Sequence, residues 1–235
     1  GGSSNVSVLR NQALRTGDDS FSSIGYVANG LNQGIIISDN TSDSSRASGV
    51  AIEGTNGATV SNNRITNSSF AGLRVQSNVP WNTGACTAVV VRGNILTGCV
   101  TGTAVVPALM AFAENGDISG LVIADNQVIR PVAQRGIHLF NSGSYRLAGA
   151  TVSGNTVDNT SGNASIGIDA GCIDAIITGN TVKNSKWLGI ASTVGASGTV
   201  TITGNTIVHA PGAAIYVDAA SHVVNPTIAN NTILS

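Results

Sequence analysis

TVSGNTV (residues 151–157), IITGNTV (176–182) and TITGNTI (201–207) are near copies of one another, each with β-branched residues around a Gly-Asn pair. Working outward, the same asparagine recurs at Asn11, Asn40, Asn63, Asn94, Asn126, Asn155, Asn180, Asn205 and Asn231, at steps of 23 to 32 residues. Three positions earlier stand Val8, Ile37, Val60, Val91, Ile123, Val152, Ile177, Ile202 and Ile228, all of them Val or Ile. Two positions later the column is apolar from Ile65 onward, with Ala13 and Ser42 as the irregular members. A second strand follows each turn, as in GVAIE (49–53), GLRVQ (72–76), GIHLF (136–140) and AIYVD (214–218). Alternation with period two puts one face of each strand inward. A repeat of two or three short strands cannot bury a face alone, so the repeats must stack into a solenoid of about eight to nine rungs. The nine asparagines are expected to hold turns, by tolerating left-handed backbone angles and by hydrogen-bonding one another along a ladder.

Composition agrees. The 235 residues are 42% hydrophobic, 10% charged and 4% aromatic, with a formal net charge of −1 and 29 glycines. A chain this apolar can bury a core, and its glycine, Asn, Ser and Thr content favours an all-β protein. There is no basic surplus for a nucleic-acid partner. The longest mainly apolar stretch, TAVVPALMAFA (103–113), is too short to insert in a membrane as a helix. Cys86, Cys99 and Cys172 suit buried small hydrophobes, with a single Cys86–Cys99 bridge as the alternative. No cofactor motif and no metal-ligand spacing is present.

The ladder and its strand columns resemble the right-handed parallel β-helix of the pectin-lyase-like superfamily over the whole chain, 1–235, read as one domain. The first rung begins within a few residues of Gly1 and TIANNTILS (227–235) stops within a rung, so a fragment of a longer chain is expected.

Charge is so scarce that its clusters stand out. The densest is TGDDSFSS (16–23), with Asp18 and Asp19, followed one repeat later by Asp43, Arg46 and Glu53. Adjacent carboxylates repel, which raises a pKa toward the range of a general acid. Aligning Gly17, Gly49, Gly72, Gly136, Gly167 and Gly189 as strand starts gives one outward column, Asp19, Ala51, Arg74, His138, Asp169, Ala191 and Tyr216, with two registers open at the aspartate pair, Ser20 or Phe21 being the inward residue. On a rung spacing of about 4.8 Å, Glu53 falls one rung from the aspartates and Arg74 two. Asp18 or Asp19 with Glu53 or Asp43 is expected to span the ~6.5–9.5 Å of an inverting acid/base pair. Trp81, in a long insertion, is expected beside this lane, either as a platform for a sugar ring or as a ring packed over the solenoid wall. Tyr26, Arg74, Arg46 and Asp43 are its polar companions. Beyond residue 140, Asp169, Asp174 and Asp218 are read as scattered.

At these residues a narrower resemblance appears. Gly17-Asp18-Asp19, opening a strand, is similar to polygalacturonase-type glycosidases and implies acid/base roles for Asp18 and Asp19. The histidine motif of that family is missing, since the matching stretch reads Ala47-Ser48-Gly49. Asp18-Asp19, Arg46 and Pro80-Trp81-Asn82-Thr83 together resemble phage and bacterial β-helix depolymerases of the tailspike type. Those resemblances imply a polysaccharide-cleaving glycoside hydrolase, extracellular or on a virion surface, and a homotrimer if tailspike-like. The competing readings are a non-catalytic glycan-binding rod (a tailspike or fibre shaft, or an adhesin segment) and a polysaccharide lyase.

Overall fold

The computed structural model describes residues 2–103, 106–132 and 135–235. Three parallel sheets run its length. Sheet A holds twelve strands, including the Val/Ile column; sheet B holds the nine short strands that follow each ladder asparagine. Sheet C holds eight: Phe21–Ile24, Val50–Glu53, Leu73–Ser77, Leu109–Ala113, Arg135–Asn141, Ala164–Ile168, Leu188–Ser192 and Ile215–Val217. Every strand pair is parallel, and the one helical element among the described residues is the 3-10 turn Val27–Asn29. This is the all-β parallel solenoid that the repeat predicts.

The core is a set of stacked columns. Ile37, Val60, Val91, Ile123, Val152, Ile177 and Ile202 from sheet A face Ile65, Leu96, Val128, Val157, Val182 and Ile207 from sheet B, all essentially inaccessible. Cys86, Cys99 and Cys172 are free and buried. Burial pushes their thiols up, Cys86 to about 11 and Cys172 to about 12. The Cys86–Cys99 bridge is not formed.

The asparagine ladder is continuous from Asn11 to Asn231. Each Nδ2 donates to the Oδ1 of the next asparagine at 2.9–3.0 Å. The same Oδ1 also accepts the backbone N–H of the preceding ladder residue. The turn expectation needs one correction. The left-handed residue is the one before the ladder asparagine: Arg10, Asp39, Asn62, Gly93, Asp125, Gly154, Gly179, Gly204 and Asn230 all have φ between 56° and 65°. The asparagine itself seals the corner that its predecessor turns.

Candidate functional site

Strand register in sheet C decides which side chains meet outside the solenoid. Phe21 pairs with Val50, Leu73 with Val50 and Leu109, then Ile137, Ile166, Ile190 and Ile215 continue this inward column. The outward column beside it is Ser22, Ala51, Arg74, Met110, His138, Gly167, Ala191 and Tyr216. Asp19 and Asp169 are therefore not in the column predicted for them. Asp19 precedes its strand and lies opposite Ser48, whose N–H donates to Asp19 Oδ1 at 2.8 Å. Asp169 follows its strand, hydrogen-bonded through its N–H to Leu139 O. Phe21, packed against the core, is the inward residue at the first strand.

The shift still brings the N-terminal candidates together. Arg74 Nη2 lies 2.9 Å from Asp19 Oδ2 and 2.9 Å from Glu53 Oε1. Its Nη1 reaches Ser48 Oγ at 3.3 Å, and the guanidinium lies over the Phe70 ring, 5.6 Å from its centroid. Glu53 points outward yet its side chain is 1% exposed, because the insertion after Ser77 folds over it. That insertion is pinned by an antiparallel bridge between Tyr26 and Thr83 and by the bonds Val27 N–H to Asn82 O and Gly84 N–H to Gly25 O. Within it, Asn78 accepts from Trp81 N–H, while Thr83 Oγ1 accepts from Asn78 N–H. The indole of Trp81 is left 65% exposed. Beneath it opens a cleft of about 150 Å³ lined by Asp18, Asp19, Ile24, Tyr26, Glu53, Arg74 and Trp81.

The electrostatics follow from counting charges. Two carboxylates share one cation, and a third carboxylate, Asp18, faces solvent at the mouth. Burial raises the pKa of Asp19 and outweighs the opposing pull of Arg74; the Asp18 charge adds a smaller push upward. Glu53 is raised in the same way, by burial against the pull of Arg74. Thr83 stands beside Glu53 and lowers its pKa, a smaller effect than Arg74, yet Oε2 meets no donor at hydrogen-bond geometry. Arg74 Nε is likewise buried without a partner. The pair thus titrates as a unit that holds a proton more readily than a free carboxylate does.

Asp43 and Arg46 do not join the cleft lining. Asp43 ends the sheet B strand Thr41–Asp43, where its carboxylate accepts from Thr66 Oγ1 (2.6 Å), Asn67 Nδ2 (3.0 Å) and Ser44 Oγ (3.2 Å). The Thr66 and Asn67 bonds hold its pKa low. Arg46 is exposed on the turn that leads into the second strand of sheet C.

A second cluster overturns the scattered picture beyond residue 140. Asp169 Oδ2 lies 2.7 Å from Arg135 Nη1 and 2.8 Å from His138 Nε2, and its Oδ1 accepts from Thr193 Oγ1. A carboxylate only accepts, so His138 Nε2 carries the proton. Burial raises the Asp169 pKa, but the His138 hydrogen bond and charge, with Arg135 and Thr193, hold it well below the usual carboxylate range. Burial lowers the pKa of His138, against the upward pull of Asp169. The signal for this cluster was the Ile166–Ile168 alternation, which sets the register that Gly167 misled. Asp174, by contrast, is exposed and bonded to Thr199. Among the described residues no group of three or more His, Cys, Asp or Glu is arranged to hold a metal ion, and no helix is long and apolar enough to cross a membrane.

The model of one protein family, the right handed beta helix region, matches residues 1–157 and 81–233. The chain belongs to the right-handed β-helix family. Among solved structures, the Agl-KA catalytic domain aligns at 16% identity with a TM-score of 0.54, covering 98% of this chain and 47% of that one. The catalytic domain of a GH87 alpha-1,3-glucanase in complex with nigerose aligns at 11% identity with a TM-score of 0.51, covering 99% and 48%. The A-module of the Azotobacter vinelandii mannuronan C-5 epimerase AlgE6 aligns at 16% identity with a TM-score of 0.46, covering 87% and 59%. The likeness to the first two is of fold, and the chain spans about half the length of each. No curated protein matches the chain by sequence.

Proposed function

We propose that the chain is a carbohydrate-active protein whose Asp19–Glu53–Arg74 cleft binds and hydrolyses a neutral polysaccharide. One observation carries the reading: two buried carboxylates with raised pKa values share a single arginine on the floor of a cleft flanked by exposed Trp81 and by Tyr26. The aromatic rings suit the apolar faces of a sugar. Arg74 is committed to two carboxylates, which leaves no free cation in the cleft to pair with a uronate and so disfavours a polyuronate lyase. The α-1,3-glucanase domain whose fold the chain shares makes α-1,3-glucan the first polymer to test.

The oxygens of Asp19 and Glu53 that share Arg74 Nη2 lie within about 6 Å of each other, nearer than the ~6.5–9.5 Å of an inverting pair. Glu53 is therefore better suited to keep a proton on Asp19 than to activate water. Asp19, the more accessible of the two, gives that proton to the departing glycosidic oxygen. Asp18, solvent-facing at the mouth, takes a proton from the water that attacks the anomeric carbon, and exchange with solvent resets both.

Release of new reducing ends from α-1,3-glucan, other neutral glucans and polygalacturonate tests the reading. Turnover of a neutral glucan that is lost in Asp19→Asn supports it. An ultraviolet-absorbing unsaturated product from polygalacturonate would replace it with the lyase, and binding without turnover in any chain length would replace it with the glycan-binding rod. The homotrimer implied by the tailspike resemblance belongs with this reading and is decided by a light-scattering mass.

A further inference from the structure

Both tryptophans of the chain stand over the outward face of sheet C. Trp81 covers the first two strands; Trp187 leads into the seventh, Leu188–Ser192, and its side chain is also exposed. Five rungs at about 4.8 Å separate the second strand from the seventh, roughly 24 Å. Beside Trp187 opens a cleft of about 450 Å³, lined on its other side by Tyr216 and floored by Ala191. The indole is seated on Gly212, where a Cβ would come within 3.2 Å of its ring atoms. Polar groups converge on the same cleft: Arg135, Asn163 and Thr193. Arg135 is fixed in place by Asp169 at 2.7 Å, and the absence of a side chain at Gly167 makes room for it, since a Cβ there would lie 2.4 Å from Arg135 Nη1.

We infer that this cleft is a second glycan-binding site, in which Trp187 and Tyr216 hold a sugar ring and Arg135, Asn163 and Thr193 hydrogen-bond its hydroxyls. The aromatic faces of Trp187 and Tyr216 suit the flat apolar side of a pyranose. The charge of Arg135 is compensated by Asp169, so the site favours a neutral polyhydroxyl ligand over an anion. Between the two clefts the sheet face carries the partly exposed His138 and the stacked pair Phe112 and Phe140, whose centroids are 4.4 Å apart, with Met110 buried beside them. The two clefts thus share one sheet face, and the roughly 24 Å between them is a span that a polymer several sugars long covers. This inference rests on the neutral-glycan reading of the first cleft.

The two tryptophans make the test direct. Trp81→Phe leaves Trp187 as the sole tryptophan, and Trp187→Phe leaves Trp81. Both proteins are titrated with α-1,3-gluco-oligosaccharides, β-1,4-gluco-oligosaccharides and oligogalacturonate while tryptophan emission is followed. A saturable change in Trp187 emission with a neutral oligosaccharide, together with a loss of roughly tenfold in affinity on Tyr216→Ala in the same background, supports the second site. A glycan that changes Trp81 emission alone overturns the second site and leaves the first. A glycan that changes Trp187 emission alone keeps the second site and removes the first cleft from glycan binding. Silence of both tryptophans throughout the panel overturns both.

Discussion

Two clusters on one sheet face use the same ingredients in opposite ratios. At the N-terminal cleft, Asp19 and Glu53 share Arg74; three to five rungs further on, Arg135, His138 and Thr193 share Asp169. Both are partly buried. Where carboxylates outnumber cations, burial wins and the pKa values rise; where donors outnumber the carboxylate, hydrogen bonding wins and the pKa falls. The first arrangement favours the protonated carboxyl over the charged one. The second is satisfied as it stands, and holds side chains in place.

The largest test of that contrast is catalytic. In the chain that turns over glucan, Asp19→Asn should remove ~10²-fold or more of the rate with folding intact, the usual scale for lost acid/base help. Asp169→Asn should leave the rate on short oligosaccharides within a few-fold. Equal losses in the two variants would erase the distinction.

Stability should run the other way. Asp169→Asn leaves the buried Arg135 charge without its anion and should cost about 2 kcal/mol in denaturant unfolding, below the full cost of a sealed pair because the carboxylate is 21% exposed. Asp19→Asn leaves Arg74 still paired with Glu53 and should cost less than about 1 kcal/mol. A larger loss at Asp19 than at Asp169 would mean that the N-terminal pair is the structural one.

Acid and base should separate the clusters again. Asp19 and Glu53 have folded pKa values above their ordinary 3.8 and 4.5, so the folded state binds more protons and their contribution to stability fades as pH rises from that range through the raised values. Asp169, depressed, contributes stability above its ordinary 3.8 that is lost as pH falls through its folded value. Neutral His138, also depressed, adds a loss as pH falls below its ordinary 6.5. Melting temperature against pH should therefore lose its decline above pH 4.5 in Glu53→Gln and soften its acid limb in Asp169→Asn. Unchanged profiles in both would show that neither cluster shifts its protons on folding.

The smallest effect belongs to Trp81. Trp81→Ala should weaken glycan binding roughly tenfold and barely move the melting temperature, since the ring is mostly exposed. A clear drop in melting temperature would make the indole a structural clamp for the insertion.

The solenoid was legible because its columns admit few residues. A Val or Ile three positions before each Asn cannot be polar without placing an unpaired group in the core. The site was legible in content more than in register. Gly49, Gly72, Gly136 and Gly189 begin strands because a Cβ would fall within 2.3–2.8 Å of Ile65, Leu96, Val157 and Ile207, the neighbouring inward side chains. Gly17 has open space around it, and Gly167 faces outward to admit Arg135. Aligning all six as one class displaced Asp19 and Asp169 and hid the second cluster. Asp43 misled for a different reason: proximity in sequence to Arg46 and Glu53 says nothing about which sheet a rung corner assigns it to. Met110, in the outward column, carried no polar signal.

The asparagine ladder has a direction. From Asn11 to Asn205 each side-chain amide donates to the Oδ1 of the next asparagine, so this row of amide-to-amide bonds runs in one sense along the axis, while from Asn40 on the same Nδ2 also donates back to a carbonyl of the preceding rung. Such a row polarises itself, each bond strengthening its neighbours. One end of the row presents acceptor oxygen and the other presents donor N–H. Within the solenoid each ladder asparagine therefore offers its Oδ1 to the rung before it and an amide N–H to the rung after it, so the two sides of a rung are chemically different.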